Sequence, residues 1–386
     1  MLIIGKIRKN GSVNIDRNLI VLTIFAMCSL IPYILYDSPY FWGNFLPIII
    51  TIFIWFVGLN FNKFDFDPTK YFITYSLLLS CMVIYKFYSI LKTEHESIHY
   101  KFFMQIPLGA SNYIGFFLLM VVFIILFARV KTFPKLILLS TIVFSIVAIQ
   151  SRSTIVGLAL AVIVLLLTKE FKKCCIIVVL MLVSTFIFNN IYEDRSTALT
   201  KGYYGEIIEK QYELLNENKE VEEKKVKNID EGNTLKSINF DSSFIVNVRS
   251  STIYQKLDAL SSGRITIFDA SIHMFLEKPI FGVGLGNIKV KTEFFNGSTK
   301  AHNLFIDLLA ATGIVGFFLY TYVIFNVIKL LWINRKVNNY LEGLFYAVIA
   351  AIGQSMLEPN ILELNGAIMF WTCILVGTIF IRKNAT

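Results

Sequence analysis

Charge is what this chain has least of: only 16% of its 386 residues are Asp, Glu, Lys or Arg, against 55% hydrophobic, and the mean hydropathy is +0.63. That balance excludes an ordinary soluble core and points to a polytopic membrane protein. Cysteine is sparse as well. The five residues Cys28, Cys81, Cys174, Cys175 and Cys373 fall in or beside apolar runs, with no C-x-x-C, so neither a disulfide framework nor a zinc site is expected. No internal repeat is present. The first apolar run has a basic flank but no small-residue cleavage site after it, and reads as a retained signal anchor.

What the chain does have is long apolar runs. They lie near Asn18–Tyr36, Phe41–Phe61, Tyr71–Ile90, Asn112–Val130, Pro134–Gln150, Thr154–Thr168, Cys174–Ile191, Asn303–Trp332, Tyr340–Met356 and Leu362–Ile381. The expected fold is therefore all-α and polytopic, with about ten transmembrane helices and one large external loop before the third-last helix. With the amino terminus inside, seventeen Lys and Arg fall on that side and only Lys92, Lys101 and Arg152 in the opposite short loops. Both termini are then expected in the cytoplasm of a bacterial inner-membrane protein. The net charge of +9 is thus a topology signal, and no nucleic-acid partner is expected. The division is residues 1–191 as an N-terminal bundle of about seven spans, 192–301 as the external loop, and 302–386 as a C-terminal bundle of about three.

The loop carries fifteen basic and sixteen acidic residues, concentrated in "GEIIEKQYELLNENKEVEEKKVKNIDEGN". Its last part differs. Leu257, Leu260, Arg264, Phe268, Ile272 and Phe275 recur at helical spacing, with Ser261 or Ser262 as a cap and Pro279 after the end. An amphipathic helix near 262–278 is expected at the outer interface.

Few residues here could carry chemistry. Arg152 stands in the short outward turn "IQSRST", Arg195 follows the seventh span, and Arg264 opens the amphipathic helix. Guanidinium forks suit a phosphate or pyrophosphate. His302 and Asn303 lie at the outer mouth of the eighth span, where a histidine can take a proton from a hydroxyl near neutral pH. Asn303 and Asp307, four residues apart, could bond each other, or Asp307 could orient the pair. "GVGLGN" (Gly282 to Asn287) lacks the Lys-Ser/Thr of a phosphate loop and reads as a tight turn. Asp65 and Asp67 have metal-binding spacing but lie on the cytoplasmic side, opposite the arginines. His95, His99 and His273 have no supporting pattern.

The segments "PLGASNYIG", "QSRSTIVGLALA", "SGRITIFDASIHMFLEKPIFGVGLGN" and "AHNLFIDLLAATGIVGF", in that order and split by a large external loop, resemble the bacterial O-antigen ligase and polymerase superfamily. Phe268 stands where relatives often carry Trp. The resemblance implies a metal-independent glycosyltransferase that uses no cofactor or nucleotide and works outside the cytoplasmic membrane. Its donor would be an undecaprenyl-pyrophosphate-linked glycan. Its acceptor would be a glycan on a second lipid carrier (polymerase) or lipid A-core (ligase), with membrane lipids and other surface-polysaccharide assembly proteins as partners. The same resemblance implies that Arg152, Arg195 and Arg264 hold the pyrophosphate, that His302 activates or orients the acceptor hydroxyl, and that Asn303 and Asn287 bind substrate. A transporter of lipid-linked glycan is the alternative outside the superfamily; it predicts polar groups near the bilayer midplane.

Overall fold

The computed structural model describes residues 14–36, 40–60, 68–92, 104, 106, 111–191, 264–288 and 300–383. Arg195, Asp65, Asp67, His95, His99, the charged loop segment and the two Ser candidates for a helix cap lie outside them. The described helices are α1 (Arg17–Tyr36), α2 (Phe41–Asn60), α3 (Pro68–Lys92), α4 (Ser111–Phe127), α5 (Thr132–Ala148), α6 (Arg152–Leu167), α7 (Phe171–Ile191), α8 (Arg264–Glu277), α9 (Leu304–Asn334), α10 (Asn339–Ser355) and α11 (Leu364–Lys383). A single 3₁₀ turn, Asn360–Leu362, links α10 to α11, and no strand occurs among the described residues. The protein is thus an all-α polytopic membrane protein.

Six of the helices, α1, α2, α3, α7, α9 and α11, are long and apolar enough to cross a bilayer. The apolar helices α4, α5 and α6 have only 16 or 17 residues. Burial explains why α4 can be short. From Ile114 to Phe127 every side chain is buried, so this helix is apolar all round and is enclosed by protein, not lipid. It packs against α3, α5, α6, α10 and α11.

The chain divides into two units, one of Met1–Glu94, Tyr100–Asn190 and Ile267–Thr386, the other of His95–His99 and Ile191–Thr266. Within α8 the buried positions are Ile267, Ser271 and Met274, whereas Ile272 is 45% and Leu276 62% exposed. The stripe expected through Phe268, Ile272 and Phe275 is therefore rotated. The reason is Ser271, whose hydroxyl donates to the Ile267 carbonyl at 2.8 Å and so is buried without an external partner.

Two helix contacts fix the bundle. Gly157 of α6 meets Gly353 of α10 so closely that a Cβ on Gly157 would lie 2.4 Å from the Ala350 carbonyl oxygen. Small residues at such a crossing let two backbones approach in a membrane. At one end of the bundle, Glu170 in the α6–α7 turn accepts from Lys173 at 2.6 Å and from Lys336 at 2.7 Å. Lys336 also bonds Glu342 at the head of α10, tying the α9–α10 turn to the α6–α7 turn.

Replacing Gly157 with Leu should lower the melting temperature of the detergent-solubilised protein, with a loss of about 1–3 kcal/mol from overpacking. An unchanged melting curve would contradict this helix contact. Burial works to raise the Glu170 carboxyl, but the bonds from Lys173 and Lys336 outweigh it and hold it at about 2, against an ordinary 4.5. A carboxyl lowered in this way contributes stability that is complete above its unfolded value and disappears as pH falls through the folded one. The melting temperature of Glu170→Gln should therefore trail the wild type by a constant gap near neutral pH, and the gap should close between roughly pH 4.5 and 2.

Candidate active site

Helices α6 and α9 are entered in the same way. Each is preceded by a left-handed residue, Gln150 (φ 47) for α6 and His302 (φ 52) for α9, followed by a side-chain cap. Ser151 caps α6 by accepting from the Thr154 amide, and Asn303 caps α9 by accepting from Phe305 and Ile306 at 2.9 and 3.1 Å. A left-handed non-glycine residue costs of order 1–3 kcal/mol and persists only where its surroundings hold it. Around His302 they do. The Asp307 carboxylate accepts from the Ala301 amide at 2.7 Å, and the Asn303 amide donates to the Met356 carbonyl at 2.8 Å. Asn303 and Asp307 therefore do not pair through their side chains. One caps the helix and the other clamps the backbone just before the histidine.

The cap also turns the imidazole toward the end of α10. His302 Nδ1 lies 3.1 Å from Glu358 Oε2 and 3.2 Å from Oε1. Glu358 is buried, with 7% of its surface exposed. Its second partner is Asn112 at the head of α4, whose Nδ2 donates to Glu358 Oε2 at 3.0 Å. Asn112 Oδ1 in turn accepts from the Ser151 hydroxyl at 2.9 Å. A continuous hydrogen-bonded line therefore runs Ser151–Asn112–Glu358–His302, joining the heads of α4, α6 and α9 to the tail of α10. The close approach of α4 and α6 is set one turn below, where a Cβ on Gly115 would fall 2.0 Å from Thr154 Oγ1.

A second charged pair lies beside the first. Lys300, two residues before His302, contacts Glu363 just ahead of α11. Burial pushes the Glu363 carboxyl up to about 8, and the ammonium favours its charged form.

Arg152 is exposed on α6 and follows Ser151 directly, so it stands next to the line from Ser151 to His302. Arg264 is the first residue of α8. Asn287 donates to the Val283 carbonyl at 2.7 Å and closes the "GVGLGN" turn. That turn sits on a break in α9 at Gly313, whose φ of 64 and ψ of −168 leave the helix. The Ala310 and Ala311 carbonyls accept from Val283 and Gly284, and the Ile314 and Val315 amides donate to Pro279 and Ile280. The break thus leaves none of these backbone groups unsatisfied in an apolar setting. The described side-chain bond of Asn287 is a structural one.

Sequence reasoning missed Asn112, Glu358 and Glu363. The available signal was two carboxylates in the short turn "LEPNILE" between the last two spans, where ionisable groups are costly.

Replacing Asn303 with Ala should destabilise the protein by about 1 kcal/mol more than replacing it with Ser, because a hydroxyl keeps the cap and neither variant reaches Met356. Thermal melting of the two variants in detergent checks the order; equal losses would assign the effect to the Met356 bond alone.

A family model described as O-antigen ligase matches residues 136–321, a stretch that holds Arg152, Arg264, Asn287, His302 and Asn303. No curated protein matches the chain. Asn112, Glu358 and Glu363 lie outside the matched stretch. The match over residues 136–321 supports the resemblance of this chain to the O-antigen ligase and polymerase superfamily.

Proposed function

We propose that the protein transfers glycan from undecaprenyl pyrophosphate at the outer face of the cytoplasmic membrane, joining O-antigen or related repeat units into a polymer. The family supports activity of the ligase or polymerase type and gives no support to a transporter. The observation that carries the residue roles is the His302–Glu358 bond. With Nδ1 held by a carboxylate, the neutral ring keeps its proton there and presents Nε2 as the base. The acceptor hydroxyl would attack the anomeric carbon while its proton passes to Nε2. The bond from that carbon to the pyrophosphate oxygen breaks, and lipid pyrophosphate leaves.

Arg152, beside Ser151, is suited to stabilise the charge growing on that leaving group. Arg195 and Arg264 join the reading by residue type and motif, as further pyrophosphate ligands. Nucleotide sugars are absent outside the cell, so a donor carried on lipid fits an outward site, and the scarcity of Lys and Arg in the short loops at that end supports the orientation.

The second reading, transfer of finished glycan to lipid A-core, is favoured by the description of the matching family as a ligase. Electrophoresis of surface lipopolysaccharide from a strain lacking this chain separates the two. Core bearing one repeat, without a ladder, supports polymerisation; bare core with long glycan held on the lipid carrier supports ligation. An unchanged profile would sink both. In the complemented strain, His302→Ala should lower transfer by about 10²–10⁴ at normal protein level in the membrane. Full rescue by that variant would remove the histidine from the mechanism.

A further inference from the structure

The residue that joins the two halves of the site is not charged. Asn112 sits one residue into α4 and sends both side-chain bonds to other segments: Nδ2 to Glu358 at 3.0 Å, and Oδ1 from Ser151 at 2.9 Å. Its main-chain carbonyl accepts from Gln354 Nε2 at 2.8 Å and Asn360 Nδ2 at 3.4 Å, on either side of Glu358 in sequence. Gln354 and Asn360 are fully buried. Backbone and side chain of Asn112 are therefore both fixed against the segment that carries Glu358.

We infer that Asn112 is a positioning residue for the transfer: its amide fixes Glu358, and through it the ring and tautomer of His302, while holding Ser151 at the head of the helix that bears Arg152. This inference rests on the functional reading above. The chemistry requires an amide. Only a group that donates at one end and accepts at the other can bond a carboxylate and a hydroxyl acting as donor together, and a neutral one adds no charge beside the histidine. An Asp could not donate to Glu358 while ionised, and a Ser could not span both partners. The arrangement links the acceptor-side base to the arginine-bearing helix through a single half-buried amide.

Other charges bear on His302. Glu358 is hydrogen-bonded to it, and Lys300, His302 and Glu358 all act electrostatically on Asp307. Glu363 contacts Lys300, and Arg152 follows Ser151. Each of these side chains is retained when Asn112 is replaced, so the substitution itself alters charge and hydrogen bonding only at residue 112.

The test uses the full chain in proteoliposomes, with lipid-linked glycan extracted from a strain lacking the protein. The readout is release of undecaprenyl pyrophosphate, which polymerase and ligase share. Asn112→Asp places a carboxylate against Glu358, favours the imidazolium, and should move the acidic limb of the kcat profile to higher pH by about half a unit or more. Asn112→Ala should lower kcat about tenfold with little change in KM. In a Glu358→Gln background the same substitution should cost far less, because Asn112 acts through Glu358.

An unmoved acidic limb in Asn112→Asp, or losses from Asn112→Ala and Glu358→Gln that simply multiply, would overturn the inference while leaving the functional reading intact. If Asn112→Ala does not accumulate in the membrane, the pH profile of Asn112→Asp decides alone. No release by the wild-type protein from this donor overturns the functional reading, and the inference with it.

Discussion

A carboxylate buried at the end of a membrane bundle has to be paid for in hydrogen bonds, and Glu358 is where this protein does so. Removing an ionised carboxylate from water costs several kcal/mol unless donors replace the lost hydration. Here the donors are the Asn112 amide and His302, one from the head of α4 and the other from the residue before the α9 cap. Each of these must reach the tail of α10 at the same point. The approach of α4 to α6 at Gly115 and of α6 to α10 at Gly157 makes that possible. A wider crossing at either place would part the line between Ser151 and His302.

The same end of the bundle shows how an apolar protein concentrates its polarity. Helix α4 buries every side chain from Ile114 to Phe127, yet begins with Ser111 and Asn112. Helix α9 begins with a capped, strained entry and is broken at Gly313, where the glycine-rich turn takes up the released backbone groups. Many polar groups thus gather at helix heads and tails, where caps and reciprocal bonds satisfy them, while hydroxyls within helices such as those of Thr51 and Ser145 bond back to their own helix. The opposite end has a different chemistry, an ion-pair cluster of Glu170, Lys173, Lys336 and Glu342 that joins two turns. Its function is mechanical. It contains no histidine.

Much of this was legible in the chain itself. Apolar run length placed ten of the helices to within a few residues, because a bilayer demands long unbroken hydrophobic segments and leaves little else to choose. His302 and Asn303 stood out for the same reason, as polar residues at the mouth of a span. The amphipathic helix was placed correctly along the chain but not in rotation. Hydrophobic periodicity cannot see that Ser271 satisfies its own hydroxyl on the Ile267 carbonyl and so joins the buried face. Asp307 was expected to pair with or orient its neighbours; it holds the Ala301 amide instead, a backbone bond that spacing along a helix does not reveal.

Sequence alone determined the class of the molecule and its helices, and it singled out His302 at the mouth of a span, since each follows from what lipid and water will tolerate locally. Tertiary structure decided what that residue is bonded to. Asn112 and Glu358 lie 246 positions apart, and Glu358 and His302 lie 56 apart. No local pattern connects them, because the contacts exist only where α4, α6, α9 and α10 close on one another.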